Sequence, residues 1–252
     1  MVDARPTLVL LHGFTNTGAC WRPVLDVGAR LRYRALAPDI RGHGSASDMR
    51  PVTLEAVLGD CAALVPARRF VLGGYSQGGR IALHAASTPG FAERIDRLVL
   101  IGASPGIADP HERARRREAD DALADEVERS TISEFAVRWE QTPVLADIGA
   151  GLAGRQRAAL IAAARADRLR STPAGLAAAL RGLGAGALPP LWERLGELAM
   201  PVTLLVGERD AKFRAVAEQM AARIPSCEVV VVPGAGHAVH LERPDAVDAT
   251  LG

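Results

Sequence analysis

Residues 70–86 read FVLGGYSQGGRIALHAA: an apolar run, the pentapeptide Gly74-Tyr75-Ser76-Gln77-Gly78, then a stretch rich in alanine and leucine. That order predicts a strand, a tight turn carrying Ser76, and a helix near Ile81–Ala86. Glycine suits positions 74 and 78 because a Cβ at either place would crowd the strand or the helix. A strained turn of this kind projects the serine hydroxyl, making it a nucleophile elbow. The pentapeptide alone arises by chance; the strand-turn-helix context gives it meaning.

A serine hydroxyl is a weak nucleophile or base at neutral pH, so it needs an imidazole to take its proton and a carboxylate to orient that imidazole. Both follow in the chain. VTLLVGERDAKF ends a strand run with Asp210 in the next loop, and VVVPGAGHAVHLERP ends the last run with His237 in the next. Glu208 is a rival to Asp210, and His240 a rival to His237. The first loop, LLHGFTNTG, offers the backbone N–H of Phe14 as a partner for that of Gln77 in an oxyanion hole. His12 and His43 read as loop anchors by hydrogen bonding; His84 and His111 have no partner pattern.

Outward from this centre, short apolar runs recur at Thr7–Leu11, Ala35–Ala37, Leu98–Ile101, Val202–Val206 and Val229–Val232, bounded by Gly, Pro or Asp. Without polar alternation they suit strands covered on both faces, and intervening stretches such as Leu54–Leu64 form helices. The expectation is a mostly parallel, doubly wound α/β sheet. Between about Pro105 and Pro190 the polar and apolar residues instead follow helical periods, which predicts an inserted helical cap over 105–190, with the core in 1–104 and 191–252. The cap opens with the charged HERARRREADDALADEVERS and ends at the hinge-like GLGAGALPP; a charge run of this kind is usually a solvated helix face.

A chain of 252 residues suits one α/β domain with an insertion. With 30 basic and 29 acidic residues its net charge is +1, so no overall field favours nucleic acid or a membrane surface, and a small-molecule substrate is expected. Lys212 is the one lysine, so arginine abundance alone reflects composition bias. Cys20, Cys61 and Cys227, odd in number and widely spaced, suit neither a disulfide framework nor a zinc site and read as buried thiols. The N-terminus has no leader pattern and no window approaches a membrane span, which points to a cytoplasmic protein. No ligand cluster suggests a metal, and no cofactor is expected.

Ser, Asp and His in this order, each beyond a strand end, resemble the α/β-hydrolase superfamily. GYSQGGRIAL, PGIADPHERARRREAD, WEQTP, GERDAKF and GAGHAVHLE together resemble, over nearly the whole chain, a menaquinone-pathway lyase family. Its members, the SHCHC synthases, make 2-succinyl-6-hydroxy-2,4-cyclohexadiene-1-carboxylate. The resemblance implies pyruvate elimination from an anionic succinyl-cyclohexene tricarboxylate, with Ser76 acting as a base. It also implies substrate-binding roles for Arg80, Arg116 and Arg170, and for Trp139 and Tyr75. Arg80 lies four residues after Ser76, which puts it one helical turn on; a surface position is its other reading. Arg113, Arg115 and Arg117 surround Arg116, so a shift of one turn stays open. Trp139 and Tyr75 are equally explicable as packing residues. The chain departs from the family at Glu140, where some members carry tyrosine, and at Ala185–Leu188 in the hinge. A serine esterase or carbon–carbon bond hydrolase working through an acyl-enzyme is the alternative, and a non-catalytic binding protein a third class.

Overall fold

A computed structural model describes residues 5–65 and 69–251. Six parallel strands form one sheet in the order β2-β1-β3-β4-β5-β6. They are β1 (Thr7–Leu11), β2 (Arg34–Leu36), β3 (Phe70–Tyr75), β4 (Ile95–Ile101), β5 (Val202–Gly207) and β6 (Cys227–Val232). Side chains alternate between faces along a strand, and here both faces are packed. Val9, Leu11, Leu72, Leu98 and Leu100 enter one core cluster. Leu8, Leu10, Val71, Val99 and Ile101 enter the other. This is why β1 and the later part of β4 read as unbroken apolar runs rather than alternating ones. The strand order reverses after β2-β1, so helices cover both faces, and this is the α/β-hydrolase fold.

The strand expectations hold in position, with displaced ends. β4 starts at Ile95, ahead of the apolar run, because Ile95 and the partly covered Arg97 pair with Phe70 and Val71 while exposed Asp96 bulges out between them. β6 also starts early, at Cys227, and its first five residues are exposed or half-buried because it is an edge strand. That position corrects one expectation: Cys20 and Cys61 are buried free thiols, whereas Cys227 is only half-buried.

Between β4 and β5 the chain forms four α-helices, Pro110–Glu128, Ile132–Glu140, Gly154–Arg168 and Pro173–Leu183, then a short 3-10 helix at Trp192–Glu197, and no strand. Asp109 caps the first, its carboxylate accepting from the Glu112 N–H at 2.6 Å, and Pro110 follows at the first helical position. Thr131 and Glu134 form a reciprocal capping box on the second. Ala124, Val127, Phe135, Leu176, Ala177 and Leu180 give this insertion its own small core, against which Phe14 and Trp139 also pack. The charged stretch of the first helix is mostly a solvated face: Arg115, Arg116 and Arg117 are exposed, and Arg116–Asp120 and Arg117–Asp121 pair across one turn.

Candidate active site

Ser76 sits between β3 and the helix Gln77–Ala86 with φ 51° and ψ −110°, a conformation L-residues rarely adopt. The flanking glycines make it accessible. A Cβ on Gly74 would lie 2.7 Å from the Gly79 Cα, and one on Gly78 would collide with the Leu11 and His12 carbonyls. The turn is anchored by the Ser76 N–H donating to the Ile101 carbonyl at 2.8 Å.

His237 reaches the serine from the loop after β6, and Asp210 supports it from the loop after β5. The imidazole Nδ1 is 2.6 Å from Asp210 Oδ2, and Nε2 is 3.2 Å from Ser76 Oγ. An ionised carboxylate only accepts, so Nδ1 carries the hydrogen and Nε2 is left to accept from the serine hydroxyl. This orientation lets the ring take a proton from Ser76 while Asp210 holds it. Phe213 packs on the ring at 4.5 Å between centroids, and Tyr75 at 5.3 Å. Gly102 passes beneath it with φ +52°; a Cβ there would lie 2.8 Å from His237 Cε1.

The rival residues lie elsewhere. The Glu208 carboxylate accepts from the Gly234 N–H at 2.9 Å, holding the turn ahead of His237 rather than the ring. His240 is fully buried between Tyr75 (4.2 Å) and Trp21 (4.9 Å), both ring nitrogens without partners, and burial pushes it down to about 3. His12 is a loop anchor: its Nδ1 donates to the Gly13 carbonyl at 2.9 Å, while Nε2 accepts from the Ile40 N–H at 2.9 Å. His43 packs edge-on against it, 4.9 Å between centroids.

Ser76 and His237 open into a small pocket of about 50 Å³ whose wall includes Phe14, Tyr75, Trp139 and Arg168. Phe14 and Trp139 meet edge to face at 5.1 Å, joining the loop after β1 to the helical insertion. Gln77 is buried behind the serine, its side-chain amide donating to the Leu183 carbonyl at 3.3 Å. Burial raises the Tyr75 phenol, whose neighbours include the Arg168 guanidinium.

The three arginines named from sequence do not line this pocket. Arg80 is buried and faces Arg116 and Asp120; desolvation, then the Arg116 charge, lowers it to about 10, and its Nε has no hydrogen-bond partner. Arg116 is half-exposed and bonded to Asp120 at 2.8 Å. Arg170 is exposed and faces a neighbouring, larger pocket of about 460 Å³ that shares Asn16 and Leu241 with the first.

Sequence reasoning missed three residues that shape the site. Arg168, two positions before the arginine it singled out, lines the serine pocket. Asp167 receives the Thr17 N–H at 3.0 Å, the Asn16 amide at 3.4 Å and the Thr17 hydroxyl, tying the insertion to the loop that carries Phe14. Buried Glu242 accepts from the Gly236 and Gly149 N–H groups, each at 3.1 Å, and holds the loop of His237. An acidic residue inside a helix end gives no signal in sequence; only the tertiary partner reveals it. Among the described residues no group of three or more His, Cys, Asp or Glu side chains could hold a metal ion, and no helix is long and apolar enough to cross a membrane.

A model of the alpha/beta hydrolase family matches residues 8–250. The 2-succinyl-6-hydroxy-2,4-cyclohexadiene-1-carboxylate synthase of Salmonella paratyphi C is 38% identical over 258 residues, covering 98% of this chain and 92% of that protein. The synthase of the same name from Klebsiella pneumoniae is 35% identical over 249 residues, covering 98% and 92%. Among solved structures, MenH from S. aureus superposes with a TM-score of 0.90 at 29% identity, covering 99% of this chain and 93% of that one. A thermophilic esterase from Thermogutta terrifontis, with malate bound, gives 0.78 at 27% identity, covering 98% and 89%. The chain belongs to the alpha/beta hydrolase family and, within it, resembles the 2-succinyl-6-hydroxy-2,4-cyclohexadiene-1-carboxylate synthases.

Proposed function

We propose that the protein is a lyase that eliminates pyruvate from a succinyl-cyclohexene tricarboxylate in menaquinone biosynthesis. The observation that carries this is identity of 35–38% to the curated synthases over 98% of the chain, together with a serine whose hydroxyl faces an oriented imidazole. In this reading His237, held by Asp210, draws the proton from Ser76, and the serine oxygen removes a ring proton from the substrate. The bond from ring carbon to the enolpyruvyl oxygen then breaks and pyruvate leaves. The Phe14 and Gln77 backbone N–H groups stabilise the negative charge that develops on the substrate. Tyr75 and Trp139 wall the reacting centre, while Arg80, Arg116 and Arg170 are the family's candidates for the substrate carboxylates. The helical insertion over 105–190 serves as a cap. Pockets for ligands of this size span about 300–1,000 Å³, so the pocket of about 50 Å³ has to widen or join its larger neighbour on binding.

A second reading is a serine esterase. It is favoured by the pocket wall, which is mainly apolar and holds none of the three expected arginines. The esterase relative at 27% identity supports it as well. In that chemistry Ser76 attacks an ester carbonyl and water resolves the acyl-enzyme. Assaying the purified protein for pyruvate release from the pathway intermediate, beside cleavage of a short-chain aryl ester, separates the two. The lyase reading expects pyruvate release to dominate; robust ester cleavage without detectable pyruvate overturns it.

A further inference from the structure

Residues 142–152 of the insertion belong to none of its four α-helices and run as successive turns, with the Ile148 N–H donating to the Leu145 carbonyl at 2.9 Å and the Leu152 N–H to the Gly149 carbonyl at 2.9 Å. Leu145 and Ile148 from this stretch line the serine pocket. Its packing is nevertheless with the sheet: Ile148 enters the core cluster of Leu8, Tyr75 and Val232, not the insertion's own. It also lies directly on the loop of His237, since a Cβ on Gly151 would sit 2.2 Å from the Gly234 carbonyl oxygen. From β5 the same loop is met just as closely. A Cβ on Gly207 would lie 2.1 Å from the Gly236 carbonyl oxygen, and the Arg209 N–H donates to the Ala235 carbonyl at 3.0 Å.

Glu242 is buried at this junction, 5% exposed. One of its oxygens, Oε2, accepts from Gly236 in the histidine loop and from Gly149 in the insertion, each at 3.1 Å. The other is buried with no partner, and the carboxylate forms no ion pair among the described residues. A buried charge without a cation costs stability, whereas N–H bonds to a carboxylate are about twice as strong as neutral ones. The side chain thus gives up stability for a stiff joint. We propose that Glu242 is a positioning residue for the catalytic histidine, locking the loop of His237 to the Leu145–Ile148 wall so that imidazole and wall keep one fixed relation. This rests on His237 acting on Ser76, which the lyase and esterase chemistries share. A second tie, between Asp147 and Arg209 beside Asp210, has an exposed carboxylate, and ion pairs of that kind contribute little; it supplies the control.

The test reads the joint by proton NMR and amide hydrogen exchange, then by kinetics. A histidine N–H held by a carboxylate at 2.6 Å gives a low-field proton signal, so the Nδ1–H of His237 reports the seating of the ring. Glu242→Ala should speed exchange of the Gly149 and Gly236 amides together, by at least about tenfold, and shift or broaden the His237 signal. It should lower kcat about 10²-fold, on whichever of the pathway intermediate and the aryl ester the wild type turns over. Glu242→Gln keeps an oxygen acceptor for both N–H groups and should hold kcat within about tenfold. Glu242→Asp keeps the charge but is one methylene too short to reach both, and should lose more than Glu242→Gln; it carries the test if Glu242→Ala fails to fold. Asp147→Asn should leave the His237 signal and both amides as in the wild type. An unchanged His237 signal in Glu242→Ala overturns the proposal, as does release of only one of the two amides, or a Glu242→Gln as impaired as Glu242→Ala. The NMR and exchange measurements need no substrate, so they are separable from the lyase reading. These effects without pyruvate release overturn that reading alone; pyruvate release with unchanged kcat and His237 signal in Glu242→Ala overturns this proposal alone.

Discussion

Gly102 shows how closely the reacting geometry depends on single atoms. Its backbone has φ +52°, and a methyl group at this position would lie 2.8 Å from the His237 ring. Gly102→Ala therefore strains the backbone and pushes the imidazole off the serine. Because a displacement of about 1 Å in a reacting group costs on the order of 10²-fold, kcat should fall by about that factor with little change in KM. Steady-state kinetics of the folded variant checks this, and an unchanged kcat would mean that the ring has room to retreat. Asp210→Asn acts on the other side of the same ring: the amide no longer fixes the tautomer with hydrogen on Nδ1. The expected loss in kcat is on the order of 10²–10⁴-fold, whereas Glu208→Gln, which acts on a Gly234 N–H, should cost less than about tenfold.

At the scale of elements, the last turn of the helix Gly154–Arg168 does two jobs through adjacent residues. Asp167 ties down the loop after β1, and Arg168 turns into the pocket. Removing the carboxylate in Asp167→Ala leaves buried donors on Thr17 and Asn16. Hydrogen bonds to a charged group contribute about 1.5–3 kcal/mol, so the unfolding free energy read from urea melts should fall by about that much, with a loss of kcat as the Phe14 loop loosens. A variant as stable as wild type would show that the loop is held by other contacts. The contrast with the elbow explains what was legible in sequence. Ser76 and its glycines form a local motif whose backbone demands are written in five consecutive residues, and β1 and β5 are apolar because both faces are covered. Asp210 and His237 stood out because strand ends place loops at one edge of a parallel sheet. Arg168 did not stand out, since residues two apart point in different directions at a helix end and only packing decides that Arg168 turns inward and Arg170 outward. The starts of β4 and β6 were hidden for a related reason: strands that run beyond their cover lose the apolar pattern.

Over the whole molecule, burial of histidines sets an acid limit on stability. Desolvation holds His43 and His240 down to about 3 and His84 to about 4 in the folded chain. In the unfolded chain each takes up a proton near a pKa of about 6.5. Between those values the unfolded state binds more protons, so stability is fully present above about pH 6.5 and is lost as the pH falls, by about 1.4 kcal/mol per unit for each histidine. Urea midpoints measured at about pH 7.5 and about pH 5.5 should drop accordingly, and His240→Leu, which removes an unpartnered ring from between Tyr75 and Trp21, should flatten the dependence. Midpoints equal at the two pH values would contradict the buried, neutral state of these rings. Fold and chemistry meet where the carboxyl ends of the strands bring residues 76, 210 and 237 together, in a pocket that Trp139, Leu145 and Ile148 of the insertion help to line. The most direct test of the central claim is pyruvate released from the purified pathway intermediate by wild type and by Ser76→Ala, with matched circular dichroism spectra. The account predicts release by the wild type and a loss of at least about 10³-fold in the variant; release that survives the substitution, or is absent from the wild type, would contradict it.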